Sequence, residues 1–210
     1  MKILIVAATI YEISPLLAHF QLADTEPLAN EKFEVLITGV GMTATAFALG
    51  KRLNDDYDLV MNLGIGGSFD QGIALGTVLN VTEDVFAELG AEDHERFLSI
   101  DDLHLGKSTY YANATLLSEQ VSQLKKVKGI TVNCVHGNEK SILDICTRFS
   151  PVVESMEGAA VLYCCEQYDI PGLQIRSISN YVEPRNREAW KIDLAIGNLN
   201  TWAIDFLTNT

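Results

Sequence analysis

The chain contains no C-x-x-C pair, no arginine before Arg52 and no apolar stretch long enough to span a bilayer. Its four cysteines, Cys134, Cys146, Cys164 and Cys165, are scattered, and the last two are adjacent inside an apolar run. They read as small buried thiols in a reducing compartment rather than as zinc ligands or disulfide partners. The opening MKILIVAA resembles a first strand and lacks the long apolar region and cleavage site of a signal peptide. Positive charge is scarce: 15 Lys and Arg against 28 Asp and Glu give a net charge of −13. That balance argues against nucleic acid and against anionic membranes as partners, while a small anion remains open wherever arginines gather. There is no internal repeat and no linker rich in Pro, Gly or Ser. A soluble, cytoplasmic protein is expected.

What is present is a chain of 210 residues, 48% hydrophobic, which suits one domain over residues 1–210 with a sizeable core. Short apolar runs rich in β-branched residues fall at 2–7, 33–38, 59–63, 77–83, 130–135, 152–156 and 173–179. Their near-continuous apolarity suits strands covered on both faces. Helical patterns alternate with them at 10–20, 42–53, 113–125, 140–149, 158–168 and 186–207. This alternation predicts an α/β fold, a three-layer sandwich around a mixed, mostly parallel central sheet. The stretch 87–111, dense in Asp, Glu and His, reads as a surface loop, a lid or an oligomer contact.

In open α/β sheets ligands gather beyond the C-terminal ends of the strands, so the residues just after each strand carry the information. They include Ala8 and Glu12 after the first strand, Gly39 and Gly41 after the second, and Gly64, Ile65, Gly66 and Gly67 after the third. Met156 and Glu157 follow the sixth, and Asn180 the seventh. Glycine in such turns permits unusual φ and close approach of backbone to ligand. A dinucleotide fingerprint fits poorly. Gly39-Val40-Gly41-Met42-Thr43-Ala44 has alanine in its third place, and Asp58 lies before a strand rather than at the end of one.

Five stretches in order, MKILIVAATIYE, TGVGMTAT, NLGIGG, SMEGAA and RSISN, resemble the purine nucleoside phosphorylase and nucleosidase family. More closely they resemble its nucleosidase branch, which includes enzymes acting on methylthioadenosine and S-adenosylhomocysteine. The likeness runs from Met1 to about Trp190. Two further stretches, VHGNEKSI and SNYVEPRN, resemble members that act on a 6-oxopurine nucleoside carrying an aryl carboxylate on its 5′ side. The resemblance implies hydrolysis of an N-glycosidic bond, no cofactor and no metal, a small-molecule nucleoside as substrate, and a homodimer or larger homo-oligomer.

The resemblance gives Glu157 the ribose hydroxyls, and the chemistry agrees: an ionised carboxylate accepts two O–H donors at once. A cap for the helix beginning near Gly158 is the plainer role for the same residue. Met156 would pack on the sugar, with Ala8, Ile65, Gly66 and Gly67 also against the nucleoside. Glu12 would hold the attacking water, since a carboxylate accepts its proton at neutral pH; a solvated residue on the first helix is the alternative. Arg176 would orient the ribose carboxylate, or else form an ordinary ion pair. Trp190 would cover the 5′ substituent, with Arg185 or Arg187 beside it for a carboxylate. His136 falls near the expected base pocket, where a purely structural role is equally open.

Asn180 departs from the adenine-specific nucleosidases, which carry aspartate after R-x-I-S. An amide with two N–H donors suits N7 and a 6-oxo group, so a 6-oxopurine leaving group, most simply hypoxanthine, is implied. Asparagine cannot hand over a proton, however, and would act by hydrogen bonding. A turn asparagine bonding its own backbone is the alternative. Phosphorylases of the family place an arginine before the glycine turn, where this chain has Met61 and Asn62. Water is therefore preferred to phosphate. A methylthioadenosine/S-adenosylhomocysteine nucleosidase and a non-catalytic nucleoside-binding protein are the rival readings.

Overall fold

The structure, a computed structural model, describes residues 1–22, 27–114 and 118–209. The first strand, β1 (Ile3–Ala7), is buried along its whole length. Ile3, Ile5 and Ala7 enter a core shared with α1 (Ile10–His19) and α6 (Ile192–Asn209). Leu4 and Val6, projecting oppositely, enter a second core with α2 (Met42–Arg52) and α5 (Gly158–Gln167). A strand with helices on both sides needs apolar residues at every position, which is why the sequence shows no alternation there. These are the three layers the sequence implied.

β1 pairs in parallel with β2 (Phe33–Ile37) and with the start of β3 (Leu59–Ser68). Along its other side β3 runs parallel to β10 (Gly172–Tyr181). Where β1 ends, the last residues of β3 pair antiparallel with β9 (Val153–Ser155). β4 (Val78–Phe86) is antiparallel to β10 and parallel to β8 (Lys126–Thr131), which in turn is parallel to β9. The sheet is thus mixed and mostly parallel, as expected.

Several boundaries differ from the sequence reading. Residues 64–67 are not a turn: they continue β3, and Asn180 likewise lies inside β10. The stretch 87–111 is not plain loop. It holds a hairpin of β5 (Gly90–Asp93) and β6 (Arg96–Ser99), then β7 (Thr109–Tyr111), which pairs with β4. All four residues of β5 are exposed, so the hairpin has no apolar face to betray it in sequence. Of the expected helix 113–125, residues 115–117 lie outside the described residues, and the rest gives only the short α3 (Glu119–Ser122). The expected helix at 186–207 is a 3-10 turn at Arg187–Ala189, a break at Trp190, and then α6. α4 (Glu139–Phe149) begins at Asn138, whose side chain caps it. Cys164 and Cys165 are buried as expected, but Cys134 is exposed and Cys146 half-buried. No helix among the described residues is long and apolar enough to cross a membrane.

Candidate active site

Glu12 sits in the first turn of α1 and is fixed by the start of its own helix. Thr9 is the N-cap, and its hydroxyl accepts from Glu12 N at 3.3 Å. The Glu12 carboxylate returns to Thr9, taking its N–H and hydroxyl at 3.1 Å each through Oε2. T-x-x-E is the sequence signature of such a reciprocal capping box, a signal the sequence reading did not use. The other oxygen, Oε1, accepts from Ile65 N at 3.2 Å, which docks the acid onto β3. α1 contains Pro15, which has no N–H for the Tyr11 carbonyl; Ser14 Oγ donates to that carbonyl at 3.3 Å instead.

Glu157 stands at the N-cap position of α5, yet its side chain makes no cap bond there. Ser155 Oγ accepts from Gly158 N at 3.4 Å, and Thr131 Oγ1 accepts from Ala159 N at 2.7 Å. With its own helix served by others, the carboxylate crosses to α2 and accepts from Gly41 N at 2.9 Å. Gly41 is the N-cap of α2 at φ +95, a conformation only glycine takes without strain. The capping role for Glu157 is therefore not observed, and the glycine turn TGVG has a specific task.

Arg176 lies between these acids. It is 1% exposed, and its Nη2 donates to Asn62 Oδ1 while Nη1 donates to the Ile175 carbonyl. Asn62 is held in turn by donating to the Val6 carbonyl at 3.1 Å. A Cβ on Gly64 would lie 3.2 Å from both Arg176 Nη1 and Glu12 Oε1. The glycine in β3 is what lets guanidinium and carboxylate converge over the strand. Among the described residues Arg176 has no acid within ion-pair distance, so the ordinary ion pair is not found. Its pKa is lowered by burial, which the fields of Glu157, Glu12 and Asp84 oppose. Burial pushes Glu157 upward; Arg176 and the Gly41 N–H counter this, and Glu12 adds to it. Two acids 145 positions apart in sequence thus feel each other and a single buried cation.

Beneath α5 is a polar network the sequence reading missed. Asp84, wholly buried, accepts from Thr131 Oγ1 at 2.9 Å and from Gln174 Nε2 at 2.8 Å. Burial raises its pKa to about 6, against those two hydrogen bonds and Arg176. A Cβ on Gly158 would come within 2.1 Å of Gln174 Nε2 and 2.2 Å of Asp84 Oδ2. The glycine of SMEGAA therefore gives the network its room. No local pattern announced a partnership 90 residues apart.

Near the end of β10, Asn180 is half-buried. Its Oδ1 accepts from Ser179 Oγ at 2.8 Å and its Nδ2 donates to the Tyr181 carbonyl at 3.0 Å. That carbonyl only accepts, so it fixes which end of the amide is nitrogen. One N–H is spent on the backbone and one remains, where two had been expected for the base. Gly67 lies directly beneath: a Cβ there would stand 3.0 Å from Asn180 Nδ2. The same Ser179 hydroxyl also lies 3.2 Å from the Gly66 carbonyl, which competes for its one proton, and Ala8 accepts at its carbonyl from Gly39 N. Met156 is half-buried beside Glu157. Trp190 is half-buried one residue from Lys191, whose N–H donates to the Ser179 carbonyl at 2.8 Å. The guanidinium groups of Arg185 and Arg187 lie 5.4 and 5.8 Å from the indole centroid. Nearby, Tyr11 hydroxyl donates to Asp193 at 2.6 Å, joining the starts of α1 and α6. The segment 185–191 thus runs from the end of β10, beside Ser179, to the start of α6, which Asp193 joins to α1.

A separate cavity of 610 Å³ is lined by Met42, Phe86, Leu89, Ile100, Tyr110 and Tyr163, among others. It borders the α2 and α5 starts but includes none of Glu12, Glu157 or Asn180.

A three-layer α/β fold with paired acids and glycine-lined strand ends matches the phosphorylase superfamily over residues 2–207, and the chain belongs to that superfamily. Within it the chain is 32% identical over 146 residues to futalosine hydrolase of Streptomyces coelicolor, covering 68% of this chain and 62% of that protein. It is 28% identical over 179 residues to futalosine hydrolase of Thermus thermophilus, covering 82% and 80% of the two chains. It is also 26% identical over 206 residues to the 5′-methylthioadenosine/S-adenosylhomocysteine nucleosidase of Shewanella pealeana, covering 86% of each. Among solved structures, native futalosine hydrolase of Helicobacter pylori superposes with a TM-score of 0.84 at 16% identity, covering 100% of this chain and 98% of that one. That last likeness is one of fold.

Proposed function

We propose that the chain hydrolyses the N-glycosidic bond of a 6-oxopurine nucleoside, futalosine, giving hypoxanthine and dehypoxanthine futalosine in menaquinone biosynthesis. The observation that carries the proposal is the convergence of Glu12 and Glu157 on the buried Arg176, with the Asn180 amide over Gly67 further along β3. Curated relatives named as futalosine hydrolases support the same reading.

In this scheme Glu12 holds water and takes its proton as the water attacks the anomeric carbon. Glu157 holds the ribose hydroxyls by charge-assisted bonds, and its negative charge favours the positive character that develops on the sugar. Asn180 donates its remaining N–H to the base. Ala8, Ile65, Gly66, Gly67 and Met156 shape the pocket around the nucleoside. Trp190 covers the 5′ arm, with Arg185 and Arg187 at hand for a carboxylate on it. The protein works in the cytoplasm as a homodimer or larger assembly. The apolar walls of the 610 Å³ cavity, beside α2 and α5, suit a second copy.

The deciding assay incubates the protein with futalosine, inosine and methylthioadenosine, each with and without phosphate, and identifies the products. Hypoxanthine released from futalosine without phosphate supports the proposal. Adenine release from methylthioadenosine supports the second reading, which the Shewanella relatives favour. Strict phosphate dependence supports a phosphorylase. No turnover of any of them supports a binding protein. Light scattering of the eluting protein gives the subunit number.

A further inference from the structure

We infer that Asp84, acting through Thr131, is a positioning residue for Glu157: it fixes the first turn of α5, and with it the carboxylate set on the ribose hydroxyls. The inference rests on the proposed nucleosidase reaction and deepens it, because it says what holds the sugar-binding acid in place.

Burying an acid costs free energy unless the acid is paired. Among the described residues two acids outside the site are buried, Glu154 on β9 and Asp84 on β4. Glu154 pairs with His136 Nδ1 and accepts from His136 N at 3.0 Å. Asp84 has no such ion pair among the described residues; its side-chain partners are the neutral donors Gln174 Nε2 and Thr131 Oγ1. Two glycines make room for it. Asp84 is registered with Gly129 of β8, where a Cβ would stand 3.2 Å from Asp84 Oδ2. On the α5 side, the missing side chain of Gly158 clears the same oxygen. The carboxyl can therefore reach over β8 to Thr131, two residues beyond Gly129 and on the same face of the strand.

The hydrogens then run one way. Ala159 N donates to Thr131 Oγ1 at 2.7 Å, and Thr131 Oγ1 donates to Asp84 Oδ1 at 2.9 Å. A hydroxyl has one hydrogen, and one that accepts from an amide sends that hydrogen elsewhere. Asp84 is its destination, and the other carboxyl oxygen takes the Gln174 N–H. Thr131 is registered with Ser155 of β9, whose hydroxyl accepts from the neighbouring amide, Gly158 N, at 3.4 Å. The Thr131 bond is much the shorter of the two and is the firmer anchor of the helix start. Amides in the first turn have no partner within their own helix, so such outside acceptors decide where that turn sits. Glu157 immediately precedes these amides. Its carboxylate is held by Gly41 N, and its backbone by whatever holds Gly158 and Ala159. Gly41 thus sets the side chain, and the relay from Asp84 through Thr131 to Ala159 sets the main chain. Asp84 and Thr131 are both 0% exposed, so they act at one remove from the substrate.

The test reads the grip on the ribose hydroxyls. Its measure is kcat/KM for a ribonucleoside that wild type cleaves, divided by kcat/KM for the 2′-deoxy analogue. Thr131→Val keeps the shape and removes the hydroxyl; Asp84→Leu keeps the shape and removes the acceptor. Each should lower the ratio, Thr131→Val by roughly tenfold, the worth of a hydrogen bond to a charged group. The loss should fall on the ribonucleoside and largely spare the 2′-deoxy analogue. Thr131→Ser, which restores the hydroxyl, should recover most of the ratio. With valine at 131, Asp84→Leu should lower the ratio no further, because its route to α5 is gone. Where Asp84→Leu does not fold, Asp84→Ala takes its place, and the contrast of valine with serine at 131 is read in either case. A merely structural role would lower both substrates alike. A wild-type ratio in Thr131→Val, or independent, additive losses in the double variant, would overturn the inference while leaving the nucleosidase reading intact. A wild type that cleaves no nucleoside ends that reading instead. The ratio is then taken from Kd values, and equal affinity for the ribo- and 2′-deoxynucleoside, or none for either, overturns the inference as well.

Discussion

Gly41 N donates to Glu157 Oε1 at 2.9 Å across 116 residues of sequence, so the start of α2 positions the acid at the start of α5. The contact depends on backbone at φ +95, not on free space, because a Cβ at Gly41 would meet nothing within 4 Å. Gly41→Ala should therefore cost about 1–2 kcal/mol in stability through the left-handed backbone alone, and should raise KM as the N–H shifts away from Glu157. Gly50, in the interior of α2, also has open space around it but no positive φ. Gly50→Ala should stabilise by about 0.5–1 kcal/mol. Urea unfolding of the two variants checks the contrast; equal shifts would show that Gly41 is not strained in the way described.

Glu12 closes the first turn of α1 and, in the proposed reaction, also serves the chemistry. Glutamine at this position of a capping box still reaches back to the N-cap N–H. Glu12→Gln keeps the bond to Thr9 but turns its NH2 toward the Ile65 N–H, so it should lower the melting temperature modestly, yet lower kcat by roughly 10²–10⁴-fold, because an amide cannot take the proton of water. Steady-state kinetics beside thermal unfolding reads both. A variant that loses stability and keeps its kcat would remove Glu12 from the chemistry.

The sequence was most informative where local rules act. Continuous apolar runs marked β1 and β10 as strands with helices on both sides, whereas the T-x-x-E helix start at residues 9–12 went unread. It was silent where the partner lies far along the chain. Nothing near Asp84 indicates Gln174 or Thr131, and nothing near Glu157 names Gly41 as its donor. The glycines at 64, 66 and 67 read as a turn because turns are their commonest use. In the fold they lie in a strand, admitting the Arg176 and Glu12 side chains at Gly64 and the Asn180 amide at Gly67. The exposed hairpin at 90–99 was hidden for the opposite reason: it buries too little to leave an apolar pattern.

Asp84 makes stability depend on pH in a direction that can be worked out. Its carboxyl titrates at about 6 in the fold against an ordinary 3.8, so between those values the folded state holds a proton the unfolded state has lost. Its contribution is therefore complete below about pH 4 and lost as pH rises through 6, a change on the order of 3 kcal/mol. Asp84→Asn removes the titration. Gln174 Oε1, buried without a partner, can turn to accept from the new amide. The stability of the variant relative to wild type should rise from pH 4 to pH 7. Denaturant midpoints at several pH values check this, and parallel curves would mean that Asp84 does not carry the proton.

Asn180 should govern which base leaves. Its amide is oriented by the Tyr181 carbonyl and Ser179 Oγ, which leaves a single N–H as a donor for the base. A 6-oxo group satisfies that donor, whereas a 6-amino group presents hydrogens to it. In Asn180→Asp the side chain is isosteric, and the Tyr181 carbonyl favours its protonated form. The acid's single O–H is then spent on the Tyr181 carbonyl, and its oxygens are left to accept from a 6-amino group, which the asparagine N–H cannot do. The ratio of kcat/KM for methylthioadenosine over futalosine should rise by at least about tenfold, the discrimination that one paired polar group supplies readily. Competition between the two substrates in one reaction measures that ratio without reference to enzyme concentration. An unchanged ratio, with futalosine still preferred, would place base recognition elsewhere on the pocket wall and reduce Asn180 to a residue that shapes the end of β10.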